Sequence, residues 1–284
     1  MSYSRVGVVT GANKGIGLAI VRQLALQYPK SPLNNGPLLI YLTARDKSRG
    51  EAALKQLQED SQLKQAKALK ADGGLAEIRY HHLDITDEFS IKDLAQHLKE
   101  SHAEGLDFVI NNAGIALNGF DANIVKETLH TNYYNTLLAS RTFLPLLKPT
   151  GRLVNLASSA GALSKYSDAV RTRFLEAKTE ADVTAIMRDF AAAVEQGREK
   201  DAGFPSAAYA VSKAGCIAGT KALARQEGER LVVACCPGYV NTDMSKGNGT
   251  KTPDEGAQTP VLLAIQDSGA KTGEFWRDEK VIEW

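Results

Sequence analysis

Apolar residues along this chain arrive in two alternating rhythms: short unbroken runs, and longer stretches in which they recur every three or four positions. Val6 to Thr10 is a β-branched run, and after a glycine-bearing loop Leu18 to Tyr28 carries its apolar positions at helical spacing. Leu38 to Thr43 predicts a second buried strand, and Ser48 to about Ala71 a charged amphipathic helix. Tyr80 to Leu83 and Phe108 to Ile110 predict the third and fourth strands, on either side of a helix around Ile91 to Ser101. Arg152 to Leu156 and Leu231 to Cys235 add two more, and a short seventh lies near Gly273 to Trp276. Apolar strands alternating with helices predict an α/β, doubly wound Rossmann fold, its parallel sheet of about seven strands covered on both faces.

Two stretches interrupt the rhythm. Pro29 to Pro37, with Asn34-Asn35-Gly36, reads as a surface loop between the first helix and the second strand. The larger interruption, about 162–205, reads as a helical insertion. Within it Thr179 and Asp182 have capping-box spacing, after which Val183, Ile186, Met187, Phe190 and Val194 fall on one face until Gly197. That stripe is expected to pack on the body of its own domain. The length of 284 residues suits one domain over 1–284.

Composition narrows the partners. Hydrophobic residues at 43%, charged residues at 24% and a net charge of +1 are ordinary for a globular chain, so no nucleic acid is expected. Of the three cysteines, Cys235 and Cys236 are adjacent and Cys216 stands apart, which suits neither a disulfide framework nor a metal site. The start, Met-Ser-Tyr-Ser-Arg, has no apolar signal region, and no apolar run approaches membrane length. A cytosolic chain without a membrane partner is expected.

Candidate chemistry begins with Tyr209-Ala-Val-Ser-Lys213. A spacing of four puts phenol and ammonium on one helix face, their Cβ atoms about 5–6 Å apart. A cation beside a phenol favours loss of its proton, which suits the pair to proton transfer. The spacing alone is weak evidence, since such pairs also occur by accident. Thr10-Gly11-Ala12-Asn13-Lys14-Gly15-Ile16-Gly17 sits between the first strand and helix, where a dinucleotide pyrophosphate needs a close backbone and a helix N-terminus.

The loop's glycine spacing, three intervening residues and then one, resembles the T-G-x-x-x-G-x-G signature of the short-chain dehydrogenase/reductase superfamily. Further motifs of that family follow in order. Asp84 and Ile85 follow the third strand, where members hold the adenine, and Asn111-Asn112-Ala113-Gly114 follows the fourth. Asn132 stands where the family has its active-site asparagine, Ser158 at the place of its catalytic serine, and Pro237-Gly238-Tyr239-Val240-Asn241-Thr242 resembles the segment that cradles the nicotinamide. The resemblance covers Val6 to about Thr242. It implies a catalytic set of Asn132, Ser158, Tyr209 and Lys213. It implies a cofactor site at Gly11, Asn13, Lys14, Gly15, Ile16, Gly17, Asp84, Ile85, Asn111, Ala113, Gly114, Tyr209, Lys213, Pro237, Gly238, Val240 and Thr242. Asn111 also admits a reading as a stitch between strands, and Asp84 as a strand-end cap. After the second strand comes Thr43-Ala44-Arg45-Asp46. Arg45 and Lys14 together suit a 2′-phosphate and outweigh Asp46, so NADPH is the expected cofactor.

Ser158 and Tyr209 lie 51 positions apart, and the inserted helices account for the excess over ordinary members. An insertion there is similar to that of the cytosolic, monomeric NADPH-dependent carbonyl reductases. This closer resemblance implies a monomer, a small-molecule carbonyl substrate and reduction of ketones, aldehydes or quinones. It implies a substrate cleft bordered by Ser158, Ala160, Tyr209, Cys236, Tyr239 and Met244, with a lid-like loop at about 244–255. Relatives carry a methionine or tryptophan where this chain has Ala160 and Tyr239. A narrow steroid or prostanoid dehydrogenase, and an NADP-binding sensor without turnover, remain alternatives.

Overall fold

Successive residues of the central strands point to opposite faces, and both sets are apolar. In β2 (Leu38–Ala44), Leu38, Ile40 and Leu42 enter one buried cluster while Leu39 and Tyr41 enter the other. A strand buried on both sides suits the interior of a parallel sheet. The computed structural model describes residues 3–284. Among these, β1 (Arg5–Val9), β2, β3 (Ala76–His82), β4 (Leu106–Asn111), β5 (Leu147–Leu156), β6 (Leu231–Cys236), β7 (Phe275–Arg277) and β8 (Lys280–Val281) form one sheet. Its order is β3-β2-β1-β4-β5-β6-β7-β8. Every pairing is parallel except that of β8, two residues that fold back antiparallel on β7. A strand of two residues is too short for a period-two signal, so the expected seven become eight.

From β1 the chain passes through α1 (Gly15–Gln27) to β2, on the outer side, and it crosses β1 again to reach β4. The order therefore reverses between β1 and β4, which opens a crevice at their carboxyl ends. The single helix expected over 48–71 is divided into α2 (Lys47–Gln58) and a short α3 (Ser61–Gln65). Asp60 makes the break: its carboxylate accepts from the amides of Gln62 and Leu63 and so starts a new helix. Next come α4 (Glu88–Ser101), α5 (Ala122–Leu129) and α6 (Asn135–Phe143), the last two joined by a π-turn at His130–Tyr134.

The insertion contains α7 (Asp168–Glu176) and α8 (Glu180–Glu195), ahead of α9 (Ala208–Ala224). The capping box of Thr179 and Asp182 is formed, and the α8 stripe is buried in the cluster beneath it. Small residues on α9 permit the approach. A Cβ at Gly215 would lie 2.7 Å from the Met187 sulfur, and one at Gly219 would lie 2.8 Å from a Leu137 methyl. The helical layer closes with α10 (Pro253–Ile265), which packs beside α1. Among the described residues no helix is long and apolar enough to cross a membrane.

Candidate active site

The loop between β1 and α1 is shaped by backbone conformations that favour glycine. Gly11 and Gly15 have φ of +62° and +56°. Gly17 needs its missing side chain for space: a Cβ there would sit 2.4 Å from the Gly11 carbonyl and 2.6 Å from the Asn112 amide. Asn112 holds the cradle, donating from Nδ2 to the carbonyls of Thr10 and Gly11 at 2.9 and 3.0 Å. The Thr10 hydroxyl in turn accepts from the amides of Asn112 and Ala113, both at 3.0 Å. No side chain caps the N-terminus of α1, and its first turn carries no acid, so its amides face the crevice without an internal acceptor. An anionic pyrophosphate fits that donor set. Asn13 and Ile16 lie within the loop and first turn, with Ile16 packed on the core.

At the end of β2, Arg45 is exposed and Asp46 is occupied as the N-cap of α2, accepting from the Arg49 amide at 2.8 Å. The carboxylate that competes with Arg45 in the sequence is thus engaged by backbone. Lys14 reaches the other way, pairing with Asp243 at 2.6 Å, and the ammonium holds the Asp243 carboxyl below its usual range. This pair links the glycine loop to the segment after β6. There Thr242 also approaches Gly15, its methyl 3.4 Å from where a Cβ would stand. Asp84 accepts from the amide and hydroxyl of Thr86, closing its own turn. Ile85 beside it is buried.

The Asn111 side chain is turned away from the crevice. Its amide points into the core and donates to Ser140 at 3.1 Å and Asn155 at 2.9 Å, while Asn155 donates to Thr220 of α9. This is the stitch reading: β4, β5, α6 and α9 are tied beneath the crevice. Its parity along β4 explains the placement, since it shares a face with Val109.

Asn132, Tyr209 and Lys213 of the expected catalytic set gather where β4 and β5 end, and Ser158 follows β5 by two residues. Lys213 is 6% exposed; its ammonium lies 5.7 Å from the centre of the Tyr209 ring and donates to the Leu156 carbonyl at 2.8 Å. Leu156 stands two residues before Ser158, whose hydroxyl accepts from the Ala160 amide at 3.1 Å. A Cβ on Gly114 would be 3.1 Å from the Asn132 carbonyl oxygen and 3.6 Å from the Lys213 ammonium, so the β4 loop, the π-turn and α9 meet there. Asn132 is 1% exposed and makes three hydrogen bonds, two with Ile115 and one to Ser212.

The expected substrate wall comes from two segments. Ser159, Ala160 and Gly161 form a single 3-10 turn after Ser158, with Ala160 exposed. Opposite, Cys236 is buried, its sulfur 3.6 Å from the Ser159 hydroxyl and accepting from the Gly238 amide at 3.4 Å. Tyr239 and Met244 are 53% and 47% exposed, making an apolar rim, while Val240 turns inward. The 244–255 stretch is shorter than expected as a loop. Lys251 returns to bond Tyr239 and Asn241, and from Pro253 the chain is already α10, capped by Thr252 and Glu255. Thr242 caps a 3-10 turn at Asp243–Ser245, and Pro237 and Gly238 lead from β6 into the bend at Tyr239.

Asp243, Asn112 and Ile115 escape a reading by residue type alone. The motif around Asn112 was its one signal, whereas the Lys14–Asp243 partnership spans 229 positions and has no local trace. All three thiols are free, and burial pushes those of Cys216 and Cys235 up. Among the described residues no group of three or more His, Cys, Asp or Glu side chains could hold a metal ion.

The strand order, the glycine cradle and this cluster define a dinucleotide-dependent oxidoreductase architecture, and the short chain dehydrogenase profile matches residues 5–170. The chain belongs to the short-chain dehydrogenase family. It is 39% identical over 299 residues to carbonyl reductase (NADPH) 3 of Rattus norvegicus, covering 100% of this chain and 99% of that one. It is 38% identical over 294 residues to carbonyl reductase (NADPH) 1 of Homo sapiens, covering 98% of each. Among solved structures, salutaridine reductase from Papaver somniferum superposes with a TM-score of 0.81 at 26% identity, over 96% of this chain and 99% of that one. NADPH-bound carbonyl reductase from chicken fatty liver shares the fold, with a TM-score of 0.64 at 23% identity over 100% and 96%.

Proposed function

We propose that this chain is an NADPH-dependent carbonyl reductase, converting ketones, aldehydes or quinones to alcohols or hydroquinones. The observation that carries the reading is the convergence of Asn132, Tyr209 and Lys213 near the ends of β4 and β5, with Ser158 two residues past the Leu156 carbonyl that Lys213 binds, beside a glycine cradle fitted to a pyrophosphate. The full-length similarity to NADPH carbonyl reductases supports the same chemistry.

Bound NADPH supplies the hydride that reaches the carbonyl carbon. Tyr209 donates its phenolic proton to the oxygen as negative charge develops there, and Ser158 donates a hydrogen bond to the same oxygen. Lys213 balances the phenolate left behind, and the phenol recovers its proton from solvent. Asn132 braces the β4 loop against α9, fixing the distance between cofactor and acid. Arg45 and Lys14 bind the 2′-phosphate, with Asp46 withdrawn as a helix cap. Thr242, Pro237, Gly238 and Val240 border the nicotinamide, and Ala160, Cys236, Tyr239 and Met244 the substrate. The chain acts as a monomer in the cytosol: α8 seals the outer face of α9, and three unpaired thiols suit a reducing compartment.

The test is NADPH oxidation by purified protein over quinones, aromatic aldehydes, cyclic diketones and steroids. Tyr209→Phe is expected to lower kcat by about 10²- to 10⁴-fold. Tight NADPH binding without consumption of any carbonyl would favour the sensor instead. Turnover of steroids alone would narrow the substrate class.

A further inference from the structure

The turn that follows Ser158 is held from behind by a residue far away in sequence. The Trp284 indole N–H donates to the Gly161 carbonyl at 2.9 Å. Its ring lies edge-on to Phe174 of α7, centres 5.7 Å apart, and carries the Lys221 ammonium of α9 over its face at 5.2 Å. The indole packs against both the large cluster under the insertion and the small one containing Ala157, Cys216 and Cys236.

Gly161 is itself pressed onto α9. A Cβ there would lie 2.6 Å from the Ala214 nitrogen and 2.7 Å from the Lys213 carbonyl carbon. The turn therefore has α9 on one side and the indole bond on the other, and Ser158, the residue that caps it, accepts from the Ala160 amide through its hydroxyl. A three-residue 3-10 turn has little stiffness of its own, so what sets its position is what grips its end.

We propose that Trp284 is a positioning residue: through Gly161 it fixes the Ser158–Gly161 turn, and with it both the hydroxyl that meets the substrate oxygen and the Ala160 wall. The inference rests on the role given to Ser158 above. A neighbouring cation and an edge-on ring keep the indole in the one orientation that aims its N–H at Gly161. Displacing a catalytic hydroxyl by a fraction of an ångström lowers turnover without touching the cofactor cradle.

Trp284→Phe keeps an aromatic ring and deletes the N–H, and it serves even where Trp284→Ala fails to fold. Amide exchange over residues 158–163 is expected to accelerate about fivefold, the effect of one lost hydrogen bond, while exchange in β5 stays unchanged. On the same grounds kcat/KM falls about fivefold with NADPH affinity retained. In a Ser158→Ala background the same substitution adds less than about twofold, because both changes act on one interaction. Unchanged exchange over 158–163 would overturn the proposal, whether or not the parent protein is active. So would a full multiplicative loss on top of Ser158→Ala. An inactive parent sinks the reductase reading alone, leaving the exchange measurement to decide the role of Trp284.

Discussion

Asn132 and Ile115 exchange two hydrogen bonds through one side chain: the Asn132 carbonyl oxygen accepts from the Ile115 amide and its nitrogen donates to the Ile115 carbonyl, each at 2.8 Å. The side chain thus imitates a rung of sheet, tying the loop that follows β4 to the π-turn. Its third bond, from Nδ2 to the Ser212 hydroxyl at 3.1 Å, carries the tie to α9.

Asn132→Ala leaves the Ile115 backbone and the Ser212 hydroxyl without their partner in a nearly closed site. Stability is expected to fall by about 2 kcal/mol, within the range for buried polar groups left unpaired. Urea denaturation measures this directly. An unchanged midpoint would show that water replaces the side chain at no cost.

Gly17→Ala sets a methyl against the Gly11 carbonyl and the Asn112 amide, so the loop must open. The cradle is expected to lose NADPH affinity by about 10-fold or more, the overpacking cost being about 1–3 kcal/mol. Cofactor titration by fluorescence decides it. Binding at the parental Kd would mean the loop relaxes freely.

Lys14 pairs with Asp243, and on the proposed reading it also serves the cofactor. Asp243→Asn removes the acid, freeing the ammonium, and is expected to tighten NADPH about twofold to fivefold, the small effect of a solvent-exposed ion pair. Lys14→Ala weakens NADPH while leaving NADH nearly unaffected. The two Kd values at low and high salt check this, since the gain from Asp243→Asn shrinks as salt screens the pair. A parallel loss of NADH binding would place Lys14 elsewhere than at the 2′-phosphate.

A histidine cluster between α4 and the sheet makes stability depend on pH. Tyr41 bonds Nε2 of His102 at 2.9 Å and of His97 at 3.2 Å, and His81 stacks on His97 at 4.6 Å. Burial lowers the pKa of both His97 and His102 from 6.5; His81 and Arg79 add to this at His97, and His97, Arg79 and Lys148 at His102. Asp93 and Glu100 oppose the shift at His97. The unfolded chain therefore binds protons first, so this contribution is complete above 6.5 and is lost as pH falls below it. Melting temperature is expected to drop through that window, and less steeply in His102→Gln. Identical slopes for variant and parent would refute the assignment.

Much of the fold could be read from β2 and from the apolar runs Phe108–Ile110 of β4 and Leu153–Val154 of β5, because a strand stretch buried on both faces must be apolar there. The break at Asp60 could not, since a cap is visible only once the helix it starts is known. The site shows the same division. Gly11, Gly15 and Gly17 announce a cradle because only glycine tolerates those conformations and contacts. Asn111 and Asn112 are identical in type, yet one faces the core and the other the crevice, and strand parity alone separates them. Contacts such as Lys14–Asp243 and Trp284–Gly161 depend on where distant loops come to rest.

Asp46 and Arg45 divide two duties between adjacent positions: one starts α2, the other is exposed with no side-chain partner among the described residues. If Arg45 meets the 2′-phosphate as proposed, coenzyme preference can drift at position 45 without unwinding the helix that begins at 47. In evolutionary terms the pair is a fixed hinge-pin beside an exchangeable key, so a first step toward NADH is open at a position whose side chain the scaffold does not use.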